Sequence, residues 1–533
     1  MNFNKKLAVA VSGAVLLMTG QFALADSTTD IVDALVSKGV LTEEEGKLIT
    51  KGHVSKQDKT PVVKEKDGAF KLESANGRNS IQLTGRAHFD ARSIDGTGAY
   101  DTNSNAIDKD SATLGDNFEM RRARIGVKGT LAKHYDYEIL TNLVGSNANL
   151  IDVAYINAGQ FKPLQFKAGI FKQPFNLEEY GTSSNNIDFM ERSYINQITP
   201  AKKGGFMLHG ALENGITYAG SVYQQNTFGE TDSKSTGKGV AGRMTANLSQ
   251  FFGSKETVFH LGVAGFDSEY GVLPASSSTG GSCTVNTADT ASATDSVTCA
   301  IATSGTVFGF RSEGRGLSNI YRAQIGGTSV NAGGSVNSNT AAKVNNKAYG
   351  LELAAAYGPF KVQGEYTNQD FAAVQETTPT ALNANVTAGY VEALWMITGE
   401  NYADWYKNGA WGGIKPKKDF DSDTFNGLGA WEIGFRYDEF SVQDVTTTAG
   451  SGTRFGGSVA AGVQNAVAAD GSLNGGAHTY TAGIKWQLNP NMRVLANYSR
   501  TKFDYAFAPV DLAAAPATIT KEDILMIRTQ FNF

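Results

Sequence analysis

The chain has 533 residues, with 47 Lys and Arg against 52 Asp and Glu, a net charge of −5, abundant glycine (60) and scarce proline (11). Twenty tyrosines and 29 phenylalanines accompany only two cysteines. After residue 25 no apolar run approaches the ~20 residues of a membrane helix, which excludes a helical membrane protein. The six scattered histidines form no spaced metal-ligand set, so no metal and no cofactor is expected.

Lys5 and Lys6 precede an apolar run from Leu7 to Met18, and Ala23-Leu24-Ala25 has the small residues of a cleavage site. Residues 1–25 therefore read as a secretory signal peptide; a buried first helix is the alternative. Residues 26–68 form a second zone. Ile31, Leu35 and Val36 mark one helical face, Gly39 can cap its end, and Thr42-Glu43-Glu44-Glu45 has capping-box spacing for a second helix. A solvated tether and a self-associating periplasmic extension both fit. Residues 51–68 are Lys-rich and read as a linker.

From Ala69 to Phe533 the period becomes two. In IQLTGRAHFDAR (81–92), Ile81, Leu83, Ala87 and Phe89 oppose Arg86, His88, Asp90 and Arg92. HYDYEILTNL (134–143), LQFKAGIF (164–171) and the terminal ILMIRTQFNF repeat the pattern. A soluble sandwich also alternates, but here the polar face carries ionised residues in many strands and must meet water. Connections also alternate in length. Residues 132–133, 212–215, 357–359 and 489–491 read as tight turns. Residues 93–115, 226–238, 272–306, 326–345, 372–385 and 446–476 read as long loops. That asymmetry marks an outer-membrane barrel, and the stretch has room for well over a dozen strands. Barrels of that size enclose water rather than a packed core. A pore lined by the polar parity of each strand is expected.

Arg86, Arg92, Arg122, Arg124, Lys128, Lys167 and Arg243 share that polar parity in a chain that is acidic overall. Rows of cations in a pore favour anions, and arginine's planar fork suits oxyanions. A wide lumen merely solvated by mixed charge is the bland alternative. Arg121 has the lipid parity, where an arginine at mid-depth costs ~2–4 kcal/mol. It must therefore lie near an interface or be turned inward by a β-bulge between Met120 and Arg122. Cys283 and Cys299 flank a Thr/Ser/Ala-rich stretch, and an exported chain would join them in a disulfide.

The stretches FEMRRARIGVKG (118–129), NLIDVAYINAG (149–159), FKAGIFKQPFNLEEYGTSS (166–184), MERSYIN (190–196), ALWMITGENYADWYK (393–407) and GAWEIGFRYD (429–438) resemble, in order and spacing, the phosphate-selective porins O and P. The resemblance implies a transmembrane antiparallel β-barrel of sixteen strands, a homotrimer, and a constriction loop at about 173–203. It implies that Arg121 and Arg122 contact phosphate, that Asp152 tempers affinity, and that Ser184 and Arg192 complete the site. It further implies an extracellular arginine ladder at Arg311, Arg315 and Arg322. A periplasmic lysine cluster would fall at Lys167, Lys407 and Lys415. Two positions depart from the pattern: Asn185 stands where the family has a constriction lysine, and Arg124 where it has a tyrosine. The expected function is passive diffusion of phosphate or polyphosphate-type anions across the outer membrane, after insertion by the barrel-assembly machinery, which would read the terminal Phe533. A weakly selective porin is the alternative. A barrel enzyme would need a nucleophile beside a base near one rim, and no motif places one. A surface adhesin using loop 272–306 is a further reading. Neither nucleic acid nor nucleotide is an expected partner.

Overall fold

A computed structural model describes residues 32, 35–49, 60–66, 69–97, 116–144, 150–225, 237–272, 275–276, 281–283, 297–299, 302–303, 305–316, 320–325, 342–375, 381–447, 451–454, 473–507 and 519–533. The expected signal peptide and Ile31 lie outside them.

In the N-terminal unit a short helix ends at Gly39, whose φ of +68° suits glycine. The Val40 N–H donates to the Leu35 carbonyl at 2.9 Å. A second helix over 43–49 is opened by the expected capping box. The Glu45 N–H donates to Thr42 Oγ1 at 3.2 Å and the Thr42 N–H to Glu45 Oε2 at 2.9 Å. The backbone and hydroxyl bonds from Thr42 hold the Glu45 carboxyl below its ordinary range. The stretch expected to be a linker carries a strand, Val62–Lys66, paired with Ala69–Glu73.

Sixteen further strands make an antiparallel barrel. They are β1 (Ser80–Thr97), β2 (Asn117–Leu131), β3 (Tyr135–Asn142), β4 (Ile151–Ala158), β5 (Gln165–Lys172), β6 (Lys202–Ala211), β7 (Ile216–Gln224) and β8 (Lys238–Asn247). Then follow β9 (Thr257–Val272), β10 (Ala342–Tyr357), β11 (Phe360–Gln375), β12 (Ala381–Met396), β13 (Ala430–Thr447), β14 (Gly475–Asn489), β15 (Met492–Phe507) and β16 (Ile519–Asn532). β16 pairs with β1, placing Arg528 opposite Asp90 and Gln530 opposite His88. The seam is clasped at the C-terminus. Gly85 and Phe533 exchange backbone hydrogen bonds at 3.0 and 3.2 Å. A Cβ at Gly85 would stand 2.4 Å from the Phe533 ring and 2.7 Å from the Arg124 carbonyl, so only glycine permits this approach.

The outer face fits lipid. On β10, Tyr349, Leu351, Leu353 and Tyr357 are exposed; Val362, Tyr366, Val391, Trp395, Phe435, Tyr480, Ile484, Tyr498, Leu525 and Ile527 continue the band. From Tyr349 to Tyr357 the strand advances about 27 Å at ~3.4 Å per residue. At a ~40° tilt this gives roughly 20 Å of height between aromatic girdles. No helix among the described residues is long and apolar enough to cross a membrane.

The interior corrects three expectations. First, the polar parity does not line the lumen everywhere. At the loop ends of β11–β13 the inward residues are Phe371, Ala373, Leu382, Val386, Phe440 and Val442, while Asn383, Asn385 and Gln443 point out. Those apolar residues pack against Met190, Tyr194, Phe308, Phe310 and Tyr321 from loops folded inside the barrel. Phe310 stacks on Phe440 with ring centroids 3.9 Å apart. Second, 372–385 is not a long loop, because β11 and β12 leave only 376–380 between them. Third, the turn side carries a long segment, 397–429. It contains Tyr402–Trp405 and a two-rung hairpin, Tyr406–Lys407 with Ala410–Trp411.

Candidate functional site

The segment between β5 and β6, residues 173–201, folds into the lumen, near the expected 173–203; Lys202 and Lys203 belong to β6. Its composition drives this. Phe175, Leu177, Ile187, Phe189, Met190, Tyr194 and Ile195 are all buried. Its acids meet wall cations. Glu178 pairs with Arg436 at 3.2 Å. Asp188 pairs with Lys361 at 2.6 Å and Lys485 at 3.5 Å. Glu191 pairs with Arg121 at 2.8 Å, Arg528 at 3.0 Å and Arg92 at 3.1 Å. Burial opposes ionisation of Glu191, but Arg121 and Arg528 outweigh it and hold the carboxyl well below its ordinary range. The same contest at Glu179, burial against Arg192 and Lys172, leaves that carboxyl at about 2. The turn-side segment meets the loop from below: Thr182 bridges Trp411, and the Trp411 N–H donates to the Gly181 carbonyl at 3.1 Å.

Inward side chains on β9–β16 are therefore mostly buried, while those on β2–β6 keep solvent. Arg121 is 18% exposed, Arg124 14%, Lys172 and Lys202 21% each. The more solvent-exposed wall of the interior is that of β2–β6. Of the cations expected to line the pore, Arg92, Arg122 and Arg243 are buried. Arg92 is buried against Asp90 and Glu191, and Arg243 is buried in a fork on Glu352 at 2.8 and 2.7 Å. In each case a neighbouring strand or loop supplies a carboxylate that periodicity does not reveal.

Arg121 and Arg122 both face inward. Phe118 and Met120 are exposed on the outside, Glu119 and Arg121 meet in the lumen, and Arg122 is buried beside His88. The facing of β2 thus slips by one residue between Arg121 and Arg122. Arg124 donates to Asn142 at 2.6 Å and pairs with Asp152 at 2.9 Å. A bulge aims Asp152: Leu140 pairs with Val153 and Thr141 with Ile151, leaving Asp152 the extra residue. Lys202 shares the same carboxylate. Ser184 Oγ accepts from Arg86. Asn185 turns its backbone carbonyl to Gln530 at 3.0 Å. Arg192 is held by the loop itself, through the Glu178 and Thr182 carbonyls at 3.0 and 2.9 Å and Glu179 at 2.9 Å.

Arg311 is exposed, and its backbone N–H and carbonyl both bond the Gln197 side chain at 3.0 Å. Burial, with Arg121, Arg311 and Arg92 nearby, pushes the Arg315 guanidinium down to about 10 against the pull of Glu191. Arg322 lies on a strand, Tyr321–Ile325, opposite Gly309 and Arg454. Lys167 stands 4.5 Å from the Tyr155 ring centroid, whereas Lys407 and Lys415 are exposed on the turn-side segment. Cys283 and Cys299 lie on paired strands, Gly281–Cys283 with Val297–Cys299; their side chains, and so the expected disulfide, lie outside what the structure describes. No cluster of His, Cys, Asp and Glu among the described residues has the form of a metal site.

A lipid-banded, closed barrel of sixteen strands with an inward loop and a half-filled lumen is an outer-membrane porin. Residues 81–289 and 314–533 match the family of phosphate-selective porins O and P, and the chain belongs to it. It is 25% identical to Porin O of Pseudomonas aeruginosa over 465 residues, covering 84% of this chain and 88% of that protein. Similar folds include OmpT of Vibrio cholerae (TM-score 0.45, 10% identity, 86% of this chain and 98% of that one). An anion-selective porin from Comamonas acidovorans is another (TM-score 0.40, 10% identity, 85% and 100%).

Sequence reasoning missed Arg436, Lys361, Lys485 and Arg493, which anchor the loop. Their inward parity was readable; what they touch was not.

Proposed function

We propose that this porin conducts small anions, phosphate and related oxyanions among them, along the β2–β6 wall. One observation carries the reading: Arg124 and Lys202 share the single carboxylate of Asp152, while Arg86 and Arg122 form no ion pair with an acid among the described residues. On that stretch of wall cations outnumber the carboxylates paired with them, in a chain of net charge −5. Half-satisfied cations along a solvated wall draw anions in and release them. The test is planar-bilayer recording. Anion-preferring reversal potentials and phosphate block of chloride current are expected, and clear cation preference overturns the proposal.

A weakly selective porin is favoured by a different observation. Arg121 and Arg192 are already neutralised by Glu191 and Glu179, and Asn185 brings no charge. It predicts chloride current without phosphate saturation. Export through a leader at 1–25, insertion by the barrel-assembly machinery and a trimeric assembly complete the proposal. Light scattering of the solubilised protein tests the last.

A further inference from the structure

The turn-side segment 397–429 does not stay inside the barrel. Trp431 and Trp486 sit opposite each other on β13 and β14, at the outward parity, with their rings stacked 5.0 Å apart. The next residues along, Glu432 and Lys485, are buried inside and pair at 2.6 Å. The two indoles therefore belong to the lipid face, at its turn-side rim. Residues 420–429 lie against them. The Phe420 ring meets the Trp486 ring edge-on at 4.9 Å, and the Phe420 N–H donates to the Leu488 carbonyl at 2.7 Å. Both indole N–H groups donate to the Leu428 carbonyl, from Trp431 at 3.1 Å and from Trp486 at 2.8 Å. Gly429, at φ +69°, permits the approach: a Cβ there would stand 3.0 Å from Trp486 Nε1 and 2.4 Å from the Gln487 carbonyl.

Two features of this strap are out of place in water. An indole in a membrane girdle ordinarily turns its N–H to the headgroup layer; here both donors are spent on one backbone carbonyl. In their place the strap presents Phe425, 67% exposed, and Leu428, 59% exposed. Phe425 also has φ +54°, a left-handed conformation that is costly for a bulky residue and persists where its surroundings compensate it. The turn is tied shut around it. The Phe425 N–H donates to the Asp421 carbonyl at 3.0 Å, and the Asp421 carboxylate accepts from the Asp423 and Thr424 N–H groups at 2.9 and 3.2 Å. A phenyl ring left in water returns nothing for that strain, whereas one removed from water offsets it.

We propose that residues 420–428 are an interfacial anchor, with Phe425 and Leu428 seated between the phospholipids of the turn-side leaflet. The occupant follows from continuity. The exposed pair adjoins Trp431 and Trp486, and Ile433 and Ile484 continue the lipid band one outward step beyond them. The exposed Lys417, Lys418, Asp419 and Asp423 set the strap at the headgroup level and not in the hydrocarbon. The same segment reaches the pore loop at its inner end, where the Trp411 N–H meets the Gly181 carbonyl. Lys417 joins the two parts by donating to the Gly399 carbonyl at 2.6 Å. The anchor thus fixes in the bilayer the outer end of a segment that touches the constriction. It stands whichever solutes the pore passes.

Power-saturation electron paramagnetic resonance of the full-length barrel in phospholipid vesicles tests this. A nitroxide is attached at Phe425→Cys, and at Thr424→Cys as the reference, in a chain carrying Cys283→Ser and Cys299→Ser. Oxygen concentrates in the bilayer, and a nickel chelate stays in water. The ratio of relaxation by oxygen to relaxation by the chelate should be several-fold higher at 425 than at 424. Equal ratios at the two positions overturn the proposal. So does a label at 425 shielded from both reagents, which would mark a protein partner in place of lipid. If the cysteine-free chain gives no folded, heat-modifiable barrel, Phe425→Trp in the natural chain decides. Vesicles of phospholipid brominated near the headgroup end of its chains should then quench more emission than they quench in wild type, and equal quenching overturns the proposal.

Discussion

Asp152→Asn gives the sharpest test of how the constriction works. The carboxylate sits on a bulge and takes Arg124 at 2.9 Å together with Lys202. Removing one partner of a fully buried pair costs about 3–5 kcal/mol. Here Arg124 and Lys202 keep 14% and 21% exposure, and Arg124 retains Asn142, so solvent screens part of that cost. What the protein loses becomes available to an entering anion. Charge-assisted hydrogen bonds are worth about 1.5–3 kcal/mol each; discounted for screening, the pair gives about 1–2 kcal/mol in total. At ~1.4 kcal/mol per tenfold, the phosphate concentration that halves chloride current should fall roughly 5- to 30-fold. Tighter holding slows release, so saturating phosphate flux should fall as well. Bilayer titration of chloride current with phosphate measures both. Block that is unchanged or weaker in Asp152→Asn refutes the view that this carboxylate tempers a cationic site.

Other outcomes follow from the same geometry. Asn185→Lys adds an ammonium beside Ser184 and should strengthen phosphate block several-fold; unchanged block means that Asn185 does not border the path. Asp188→Asn strips the partner shared by Lys361 and Lys485, which then keep only Glu392 at 3.9 Å and Glu432 at 2.6 Å, so the cost falls below the about 3–5 kcal/mol of leaving a buried charge without any partner. Noisier, larger single-channel currents should result, and quiet wild-type conductance would count against ionic docking of the loop. The loop carboxylates Glu179 and Glu191 have depressed values, at about 2 for Glu179. Their contribution is complete above the ordinary carboxylate range and fades only as pH falls through the depressed values. Conductance should therefore be steady from pH 7 to pH 5 and change only in strong acid; a transition between pH 7 and 5 would contradict this.

Much of the barrel was legible in the sequence because a strand repeats every two residues and a membrane demands an apolar outer face. Ile81, Leu83, Leu525 and Ile527 announced lipid, and Arg86, Asp90 and Arg528 announced water. Order and spacing of the family stretches placed the inward loop within two residues of its end. Parity could not follow the chain across a slip or a bulge. Arg121 and Asp152 face the lumen only because β2 changes phase after Arg121 and β4 carries an extra residue at Asp152. Nor could parity say what an inward cation meets. Arg92, Arg243 and Arg436 look in sequence like pore charges, but strands and loops distant in the chain bring them Glu191, Glu352, Glu178 and Glu313. The sequence by itself determined that a closed, lipid-facing sheet would form, because that follows from local period and composition. Which half of its lumen fills with packed loops, and which wall keeps cations with charge to spare, only the tertiary structure decided, since ion pairing depends on where segments far apart in the chain come to lie.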